Sequence, residues 1–425
     1  MKIKVREMDY EQVLKLPKRH HRKPVKQAAV MRGIMAAASK GELKKVGFSC
    51  EKIGMDKLGA DEPALILMNH SCFLDLNIIA VLFKDRPYSI ICTSDGFVGK
   101  EGLMRRMGCI PTQKFVNDPS LIRDMAYAVK ELKSSIVMYP EASYSFDGTA
   151  TPLPSSLGKL VKLLKIPVIM IKTEGAFQRD PLYNALQLRK VKVSATMTYL
   201  ISPEEASAKS ADEINAILAE QFSFDNFKWQ KQNEISITEK FRADYLNRVL
   251  YKCPACCKEG YMEGKGIHIY CNSCNKKYEL TEYGELVALE GETEFSSVPE
   301  WYKWERECVK AELKAGTYSM EEPVEIYMMV DMEAIYHVGD GVLFHDNNGF
   351  KLKGCGGRLE YSQGPLSNYS LYADYYWYEI GDMICIGDNL TSYYCFPKNA
   401  GDVVAKARLA TEELYKLNLA EKRGK

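Results

Sequence analysis

A histidine and an aspartate lie five residues apart where an apolar stretch of the sequence meets a helical pattern. They are His70 and Asp75 in the segment MNHSCFLD, residues 68–75. Histidine is the usual general base in proteins because its pKa lies near neutrality. A carboxylate bonded to one ring nitrogen fixes the tautomer and stabilises the imidazolium that forms. Residues five apart on one continuous helix do not share a face, so the pair can meet only if His70 lies in a turn and Asp75 in the first turn of the helix.

A second polar segment, VMYPEASYS at residues 137–145, follows another apolar stretch. Together the two segments resemble the lysophosphatidate acyltransferase family, the PlsC-type glycerolipid acyltransferases. That family carries Asn-His-x4-Asp, then Gly-x-Ile-Phe-Ile-Asp-Arg, then Pro-Glu-Gly-Thr-Arg-Ser, and finally an apolar Val-Pro segment. The second motif corresponds here to GCIPTQK at residues 108–114, and the fourth to IPVI at residues 166–169. The resemblance covers roughly residues 25–220, about half of the chain.

The resemblance implies direct O-acyl transfer from a thioester, either acyl-CoA or acyl-carrier protein, to a glycerolipid hydroxyl. His70, held by Asp75, would take the proton from the acceptor hydroxyl. Backbone N–H groups would stabilise the oxyanion, at about 3 kcal/mol per donor. The first acceptor expected is lysophosphatidate, which would become phosphatidate. The family motifs place the substrate-binding residues at Lys114, Glu141, Ala142 and Ser143.

Three alternatives stay open at the level of the sequence. The acceptor could be another lysolipid or a polyol. The protein could instead be a non-catalytic scaffold that binds lipid or protein, although the intact pair of His70 and Asp75 argues against this. Cys72 could act as a nucleophile beside His70, but a small buried thiol is the commoner role of such a residue.

The chain departs from the family pattern at the residues that hold the acceptor's phosphate. Lys114 replaces an arginine of the second motif, which keeps the charge but loses the parallel donors of a guanidinium. In the third motif, Ala142 and Ser143 replace glycine and threonine, and Tyr144 replaces the second phosphate-binding arginine. We therefore expect lysophosphatidate to bind more weakly than is usual in the family. The lysines that could supply the missing charge, or be ordinary surface residues, are Lys159 and Lys172.

Four cysteines form two Cys-x2-Cys pairs separated by 14 residues: Cys253, Cys256, Cys271 and Cys274. Zinc takes four thiolates at the corners of a tetrahedron, and each pair delivers two of them from one tight turn. The surrounding region, about residues 250–281, resembles a zinc ribbon. Four sulfurs leave no open coordination position, so we expect a structural zinc ion, with iron as the alternative. Cys257 and His268 are expected not to be ligands.

Apolar stretches alternate with helical patterns around the first two segments, which indicates an α/β domain with a mixed, mostly parallel sheet flanked by helices. Strands are predicted at residues 46–53, 64–68, 88–93, 136–139, 168–171 and 192–200. Helices are predicted at residues 25–39, 75–83, 102–107, 118–132, 155–164, 203–222 and 238–250. Both polar segments follow strands, and the carboxyl ends of strands are where such sheets bind ligands.

The chain changes character after the cysteines, where many short strands are separated by glycines. Helices are predicted at residues 300–314 and 400–417, and strands at residues 324–331, 341–344, 350–353, 358–361, 376–379, 383–386 and 393–396. This order suggests a small β-rich domain, a barrel or sandwich with a terminal helix as its cap, which resembles a pleckstrin-homology-like fold by element order alone. The predicted divisions are a basic arm with an amphipathic helix (1–45), an acyltransferase domain (46–222), a connector (223–249), a zinc ribbon (250–281) and a β-rich accessory domain (282–425).

Composition and charge limit the class of protein. Apolar residues make up 46% and charged residues 27% of the chain, which is typical of globular proteins. No run of eighteen apolar residues and no signal-peptide pattern occurs, so we expect no transmembrane helix and a cytoplasmic location.

Charge is unevenly distributed along the chain. Residues 1–50 carry a net charge of +9, so we expect residues 15–40 to contact an anionic membrane surface at its inner face. Residues 281–425 carry a net charge of −11, which argues against nucleic acid as a partner. The protein partner of this C-terminal region is not predicted.

Overall fold

The computed structural model describes residues 2–399 and 403–424. These residues form three sheets and the helices that pack on them. The predicted start of the last helix, Ala400, lies outside the described residues. No helix within the described ranges is both long enough and apolar enough to cross a bilayer.

The N-terminal segment contacts two separate regions of the chain, the C-terminal sheet and the residues around Met107. It forms one strand and two helices: β1 (Val5–Glu7), α1 (Tyr10–Leu14) and α2 (Ala29–Lys45). β1 joins the C-terminal sheet, where it pairs in parallel with residues 335–337. The helix predicted over residues 25–39 begins later, at Ala29. The buried Gln27 side chain donates to the carbonyl oxygen of Met107 and holds the preceding residues outside the helix.

Seven strands form the sheet that carries the predicted catalytic pair. They are β2 (Ser49–Ile53), β3 (Leu65–Met68), β4 (Tyr88–Thr93), β5 (Cys109–Thr112), β6 (Ser135–Met138), β7 (Val168–Glu174) and β8 (Ser194–Ile201). Their order is β2-β8-β7-β3-β6-β4-β5, and every neighbouring pair is parallel except β7 with β8. The predicted mixed, mostly parallel sheet is confirmed. The unpredicted strand, β5, contains Pro111 and lies at the sheet edge, where proline is tolerated.

Helices cover both faces of this sheet. The helices of this part of the chain, after α2, are α3 (Leu74–Leu82), α4 (Glu101–Arg106), α5 (Pro119–Lys130), α6 (Leu157–Leu164), α7 (Ala176–Arg179), α8 (Pro203–Ala208), α9 (Ala211–Gln221) and α10 (Asn226–Gln232). Ile66 and Met68 of β3 pack in one apolar cluster with α2 and α3, and Leu65 and Leu67 pack in another with α5, α6 and α9. Alternate residues of a strand point to opposite faces, so β3 is buried on both sides.

The segment over residues 203–222 is two helices, where one was predicted. Ser202 and Ser210 each begin a helix, and each forms a reciprocal cap with a glutamate three residues later, Glu205 and Glu213. A serine side chain that accepts the N–H of the third helical residue satisfies a donor that the helix leaves free. The second cap therefore stabilises a new helix start within the predicted one.

The prediction of a helix over residues 238–250 is wrong. Only one turn of 3-10 helix, Leu246–Arg248, forms there. The backbone N–H of Ala243 donates to the carbonyl oxygen of Gly266 at 2.9 Å, and that of Tyr245 donates to Gly264 at 2.9 Å. These donors serve the neighbouring hairpin, so they are not available to a helix.

The cysteine-rich region is a four-stranded antiparallel sheet. Its strands are β9 (Met262–Lys265), β10 (His268–Cys271), β11 (Lys277–Leu280) and β12 (Leu286–Ala288), in the order β12-β11-β10-β9. Of the second Cys-x2-Cys pair, Cys271 therefore ends β10 and Cys274 lies in the connection between β10 and β11.

The C-terminal region is a second large sheet with a helix at each end of its sequence. It comprises α11 (Val298–Ala315), β13 (Met320–Met329), β14 (Ile335–Asp346), β15 (Gly349–Gly354), β16 (Leu359–Gln363), β17 (Tyr372–Trp377), β18 (Gly381–Gly387), β19 (Ser392–Pro397) and α12 (Val403–Gly424). All seven predicted strands are present, in the order β16-β15-β14-β13-β19-β18-β17. The β-rich region with a terminal helix is confirmed, and the pleckstrin-homology-like interpretation stays a prediction.

One apolar cluster connects all of these regions. It contains Phe146 from the first large sheet's domain, Tyr278 from the cysteine-rich sheet, Trp301 from α11 and Tyr375 from β17. The Phe146 and Tyr375 rings lie 4.6 Å apart between centroids. The C-terminal sheet therefore packs beside the segment that contains Pro140 and Glu141, residues 137–145 (the Pro-Glu segment), which ends directly before Phe146.

Candidate active site and cysteine cluster

His70 and Asp75 meet as the sequence predicts. His70 lies in the turn after β3, and Asp75 is the second residue of α3. Asp75 Oδ2 lies 3.0 Å from His70 Nδ1 and accepts the backbone N–H groups of Ser71 at 2.8 Å and Cys72 at 3.2 Å. Because the side chain of Asp75 is completely buried, its orientation is held by these three bonds. The turn and the carboxylate therefore hold the imidazole in one position.

The hydrogen bond to Asp75 determines what the His70 ring can do. A carboxylate only accepts, so Nδ1 carries the proton and Nε2 keeps its lone pair. Burial lowers the pKa of His70, while the bond to Asp75 opposes this by stabilising the charged form. The ring is therefore neutral at neutral pH, with Nε2 able to accept a proton.

Two phenol rings enclose the His70 imidazole. The rings of Tyr139 and Tyr144 lie on it with centroid distances of 4.2 Å each. Tyr144 was considered at the level of the sequence as a replacement for a phosphate-binding arginine, and in the structure its ring contacts the imidazole. Behind this group, Asn69 Oδ1 accepts the backbone N–H of Thr173 at 2.8 Å, which joins the His70 turn to β7.

The Pro-Glu turn, residues 139–144, holds the backbone of His70 through the side chain of Glu141. Glu141 Oε2 accepts the backbone N–H of His70 at 3.1 Å, and Oε1 accepts the N–H and hydroxyl of Thr151 at 2.9 and 3.0 Å. Burial raises the pKa of Glu141 to about 7, against the effect of these donors and of Arg408. Glu141 and Ser143, predicted to bind substrate, are buried here and bond within the protein.

Ala142 completes the turn in a conformation that favours glycine. Its φ is +55°, and its backbone N–H donates to the Tyr139 carbonyl oxygen at 2.9 Å. The left-handed region costs an L-residue roughly 1–2 kcal/mol, which explains the glycine that the resembling family has at this position. The turn therefore stores strain that other contacts must offset.

Arg408, on α12 of the C-terminal region, binds this same turn. Its Nη2 donates to Ser143 Oγ at 3.0 Å, and its Nη1 donates to the Tyr144 carbonyl oxygen at 3.3 Å. Sequence reasoning missed this residue. No local pattern marks it, because its partners lie about 265 positions earlier in the chain. Neither Lys159 nor Lys172 forms a hydrogen bond or ion pair with the site among the described residues.

Lys114 lies where the C-terminal sheet covers the second motif. Its Nζ is 4.2 Å from the centroid of the Tyr372 ring, whose hydroxyl donates to Asp95 Oδ2 at 2.5 Å. Burial lowers the pKa of Lys114, and the nearby carboxylates of Asp374 and Asp95 oppose this. Burial raises the pKa of Asp374 to about 7, against the effect of Lys114. The predicted phosphate-binding lysine therefore faces carboxylates.

Gly108 allows the second motif to pass close to β4. Its φ is +84°, and a Cβ atom at this position would lie 2.6 Å from the carbonyl oxygen of Tyr88. Any other residue would push the loop that leads to Lys114 away from the sheet.

The four predicted ligand cysteines form one cluster. Their Sγ atoms all lie within 4.8 Å of one another, with Cys253 to Cys274 at 3.6 Å and Cys256 to Cys271 at 3.8 Å. A tetrahedral zinc ion with Zn–S bonds of about 2.3 Å needs sulfurs about 3.8 Å apart, so the cluster fits this ion. Cys257 and His268, expected not to be ligands, are not part of the cluster.

Comparison with known proteins finds a family model that matches part of the first large sheet's domain. Residues 49–172 match the family model described as Acyltransferase. No curated protein matches the chain in sequence. Among solved structures, the 1-acyl-sn-glycerophosphate acyltransferase PlsC from Thermotoga maritima is 14% identical, and the match covers 45% of this chain and 76% of that one. Its TM-score is 0.34, which is too low to carry an argument.

Proposed function

We propose that this protein moves a fatty acyl group from a thioester to the hydroxyl of a glycerolipid, because residues 49–172 match the acyltransferase family model. The donor is acyl-CoA or acyl-carrier protein, and lysophosphatidate is the first acceptor to test. The observation that carries the proposal is the 3.0 Å bond from His70 Nδ1 to Asp75 Oδ2, which leaves Nε2 as a base at the end of β3.

The proposed reaction is direct transfer. His70 Nε2 takes the proton of the acceptor hydroxyl as that oxygen attacks the thioester carbonyl carbon. The tetrahedral intermediate then collapses, the carbon–sulfur bond breaks, and the imidazolium returns its proton to the leaving thiolate. Asp75 stabilises the imidazolium between these two steps. Cys72 is not needed as a nucleophile, and burial raises the pKa of its thiol well above the usual value.

A second candidate acceptor is a lysolipid with a less charged headgroup. Asp374 and Asp95 lie near Lys114, and the ring of Tyr144 packs on the His70 imidazole. A phosphate monoester carries nearly two negative charges, and nearby carboxylates repel it. This favours a lysophospholipid whose phosphate is esterified on both sides, or an uncharged polyol.

A panel of acceptors tests both candidates. Purified protein with long-chain acyl-CoA or acyl-carrier protein would receive lysophosphatidate, lysophosphatidylglycerol or glycerol, with the products identified by mass spectrometry. We expect acyl transfer in which lysophosphatidate is used no better than the less charged acceptors. Tyr144→Arg should then raise kcat/KM for lysophosphatidate relative to that for glycerol, because a charge-assisted hydrogen bond contributes about 1.5–3 kcal/mol. Tyr144→Phe, which keeps the ring and adds no charge, is the matched control.

The outcomes of this panel separate the alternatives. If wild type prefers lysophosphatidate and Tyr144→Arg gains nothing, the inference about the acceptor is wrong and acyl transfer stands. If no acceptor is acylated and no thioester is cleaved, the protein is a non-catalytic scaffold.

The cysteine cluster and the N-terminal arm have proposed roles of their own. The four cysteines hold a structural zinc ion. Residues 15–40 contact an anionic bilayer, supported by the exposed Val30 and Ile34 of α2 at 75% and 57% exposure. The side of α2 that faces the protein's own core carries the buried Ala36 and Leu43. Co-sedimentation with anionic vesicles but not with neutral ones checks the membrane contact.

A further inference from the structure

The guanidinium of Arg408 binds the Pro-Glu turn through both of its terminal nitrogens. Nη2 bonds Ser143 Oγ, Nη1 bonds the Tyr144 carbonyl oxygen, and the guanidinium carbon lies 4.3 Å from the centroid of the Phe146 ring. The side chain is only 3% exposed. An arginine buried to this degree is rare unless it is paired, so its partners indicate its role.

Carboxylates on the same helix compensate the charge of Arg408. Glu412 Oε1 lies 3.2 Å from Arg408 Nε and also accepts the Ser370 hydroxyl at 2.7 Å. Arg306 of α11 completes the group, with its Nη1 at 2.7 Å from Glu412 Oε2 and 3.0 Å from Glu413 Oε1. This ion-pair network fixes the direction of the Arg408 side chain relative to both C-terminal helices.

We propose that Arg408 is a positioning residue for acyl transfer, through which the C-terminal region holds the Pro-Glu turn against His70. The proposal rests on the proposed function of the His70 site. It goes beyond it by making activity dependent on a residue outside the acyltransferase domain of residues 49–172.

The turn contacts His70 at two places that Arg408 controls. Glu141, before the bound residues, accepts the His70 backbone N–H, and the Tyr144 ring lies on the imidazole. Ala142 between them is in the left-handed region, so the turn does not hold this shape by local preference alone. The planar fork of a guanidinium bonds both acceptors at once, which a lysine ammonium at the same position does less well.

This arrangement predicts an effect on the chemical step more than on substrate affinity. Arg408 touches no group that the mechanism assigns to substrate, and a displacement of the base by about 1 Å can cost about a hundredfold in rate. Loss of Arg408 should therefore lower kcat while KM changes little.

The experiment compares Arg408→Met and Arg408→Lys with wild type and with Lys416→Met. The control removes an exposed cation from the same helix that pairs with Glu413. Two readouts are measured on the full chain. One is kcat and KM for acyl transfer, and the other is the rate at which diethyl pyrocarbonate modifies His70, followed by peptide mass spectrometry with the exposed His20 as internal reference. The second readout needs no substrate.

We expect kcat to fall at least about thirtyfold in Arg408→Met and about fivefold in Arg408→Lys, with KM within threefold of wild type. The His70 modification rate should rise at least threefold in Arg408→Met, and Lys416→Met should resemble wild type. If Arg408→Met does not fold, Arg408→Lys decides.

The inference is overturned if folded Arg408 variants keep kcat within twofold of wild type, or if the His70 modification rate does not change. If wild type transfers no acyl group at all, the proposed function fails, and the His70 modification rate alone decides whether Arg408 positions the ring.

Discussion

The imidazole of His70 is held on four sides, by Asp75 at Nδ1, by Glu141 at its backbone and by two phenol rings. A base in such a setting loses little freedom when substrate binds, because its rotamer is already chosen. Only one ring nitrogen, Nε2, remains for the acceptor hydroxyl, so the loss of activity in a His70 variant measures the contribution of this base.

Replacing His70 with alanine should lower kcat at least about a hundredfold, the usual scale for loss of a general base. Asp75→Asn should also lower kcat severely, because it removes the charge that stabilises the imidazolium. Initial rates of product formation give the result, with thermal unfolding to show that each variant folds. His20→Ala, a change at an exposed histidine, serves as control. Near-wild-type transfer by His70→Ala would remove this mechanism.

The sequence predicts the meeting of His70 and Asp75 because both lie within one turn and the start of one helix. Arg408 could not be found in this way. One of its acceptors on the turn, the Tyr144 carbonyl, is a backbone atom that no residue type marks, and the contact spans about 265 positions. The same applies to Tyr144, whose type indicated a lost phosphate contact but whose ring position follows from the strained turn.

Elements with a strong local pattern agree best between sequence and structure. β4 begins and ends at the predicted residues, Tyr88 and Thr93. The predicted helix boundaries are wrong for two different reasons. The capping serine Ser210 marks a helix start that the prediction of one helix over residues 203–222 did not use. At Ala243 and Tyr245, hydrogen bonds to the cysteine-rich hairpin determine the backbone conformation. In the second case the competing hydrogen bonds come from a distant segment, so propensity within residues 238–250 could not reveal them.

The cysteine-rich sheet should contain one zinc ion per chain, since four thiolates close the coordination shell. Cys274→Ser should lose the metal and destabilise residues 250–281, measured by elemental analysis and by hydrogen exchange. Cys257→Ser is the matched control, because Cys257 is exposed and lies outside the cluster. Protein purified under reducing conditions that holds neither zinc nor iron would contradict this prediction.

At the scale of the whole molecule, the C-terminal sheet is joined to the domain of the first large sheet by a buried polar contact. Tyr372 of β17 donates to Asp95 and accepts from Trp377 Nε1 at 3.0 Å. A second contact, from the Tyr375 hydroxyl to the Arg248 carbonyl oxygen at 2.5 Å, joins this sheet to the segment that precedes the first Cys-x2-Cys pair. The C-terminal sheet therefore packs on the rest of the chain through buried polar groups as well as apolar ones.

Tyr372→Phe should lower the free energy of unfolding by about 1.5–3 kcal/mol, because it leaves the buried Asp95 carboxylate without this donor. Urea unfolding followed by fluorescence and circular dichroism measures the loss. Tyr376→Phe on the same strand is the control, since Tyr376 is exposed and its hydroxyl forms no hydrogen bond among the described residues. Equal stability of the two variants would show that the Tyr372 contact does not join the sheets.

The bond between Arg408 and Ser143 has a consequence for the time course of synthesis. Ribosomes add about 5–20 residues per second, so Arg408 is made roughly 13–50 s after Ser143. Within that interval β7 and β8 are also made, so the first large sheet can form with His70 and Asp75 adjacent while the guanidinium that holds the Pro-Glu turn does not yet exist. The nascent chain thus carries the base before it carries the group that steadies it, and the site is completed only when the last helix leaves the ribosome.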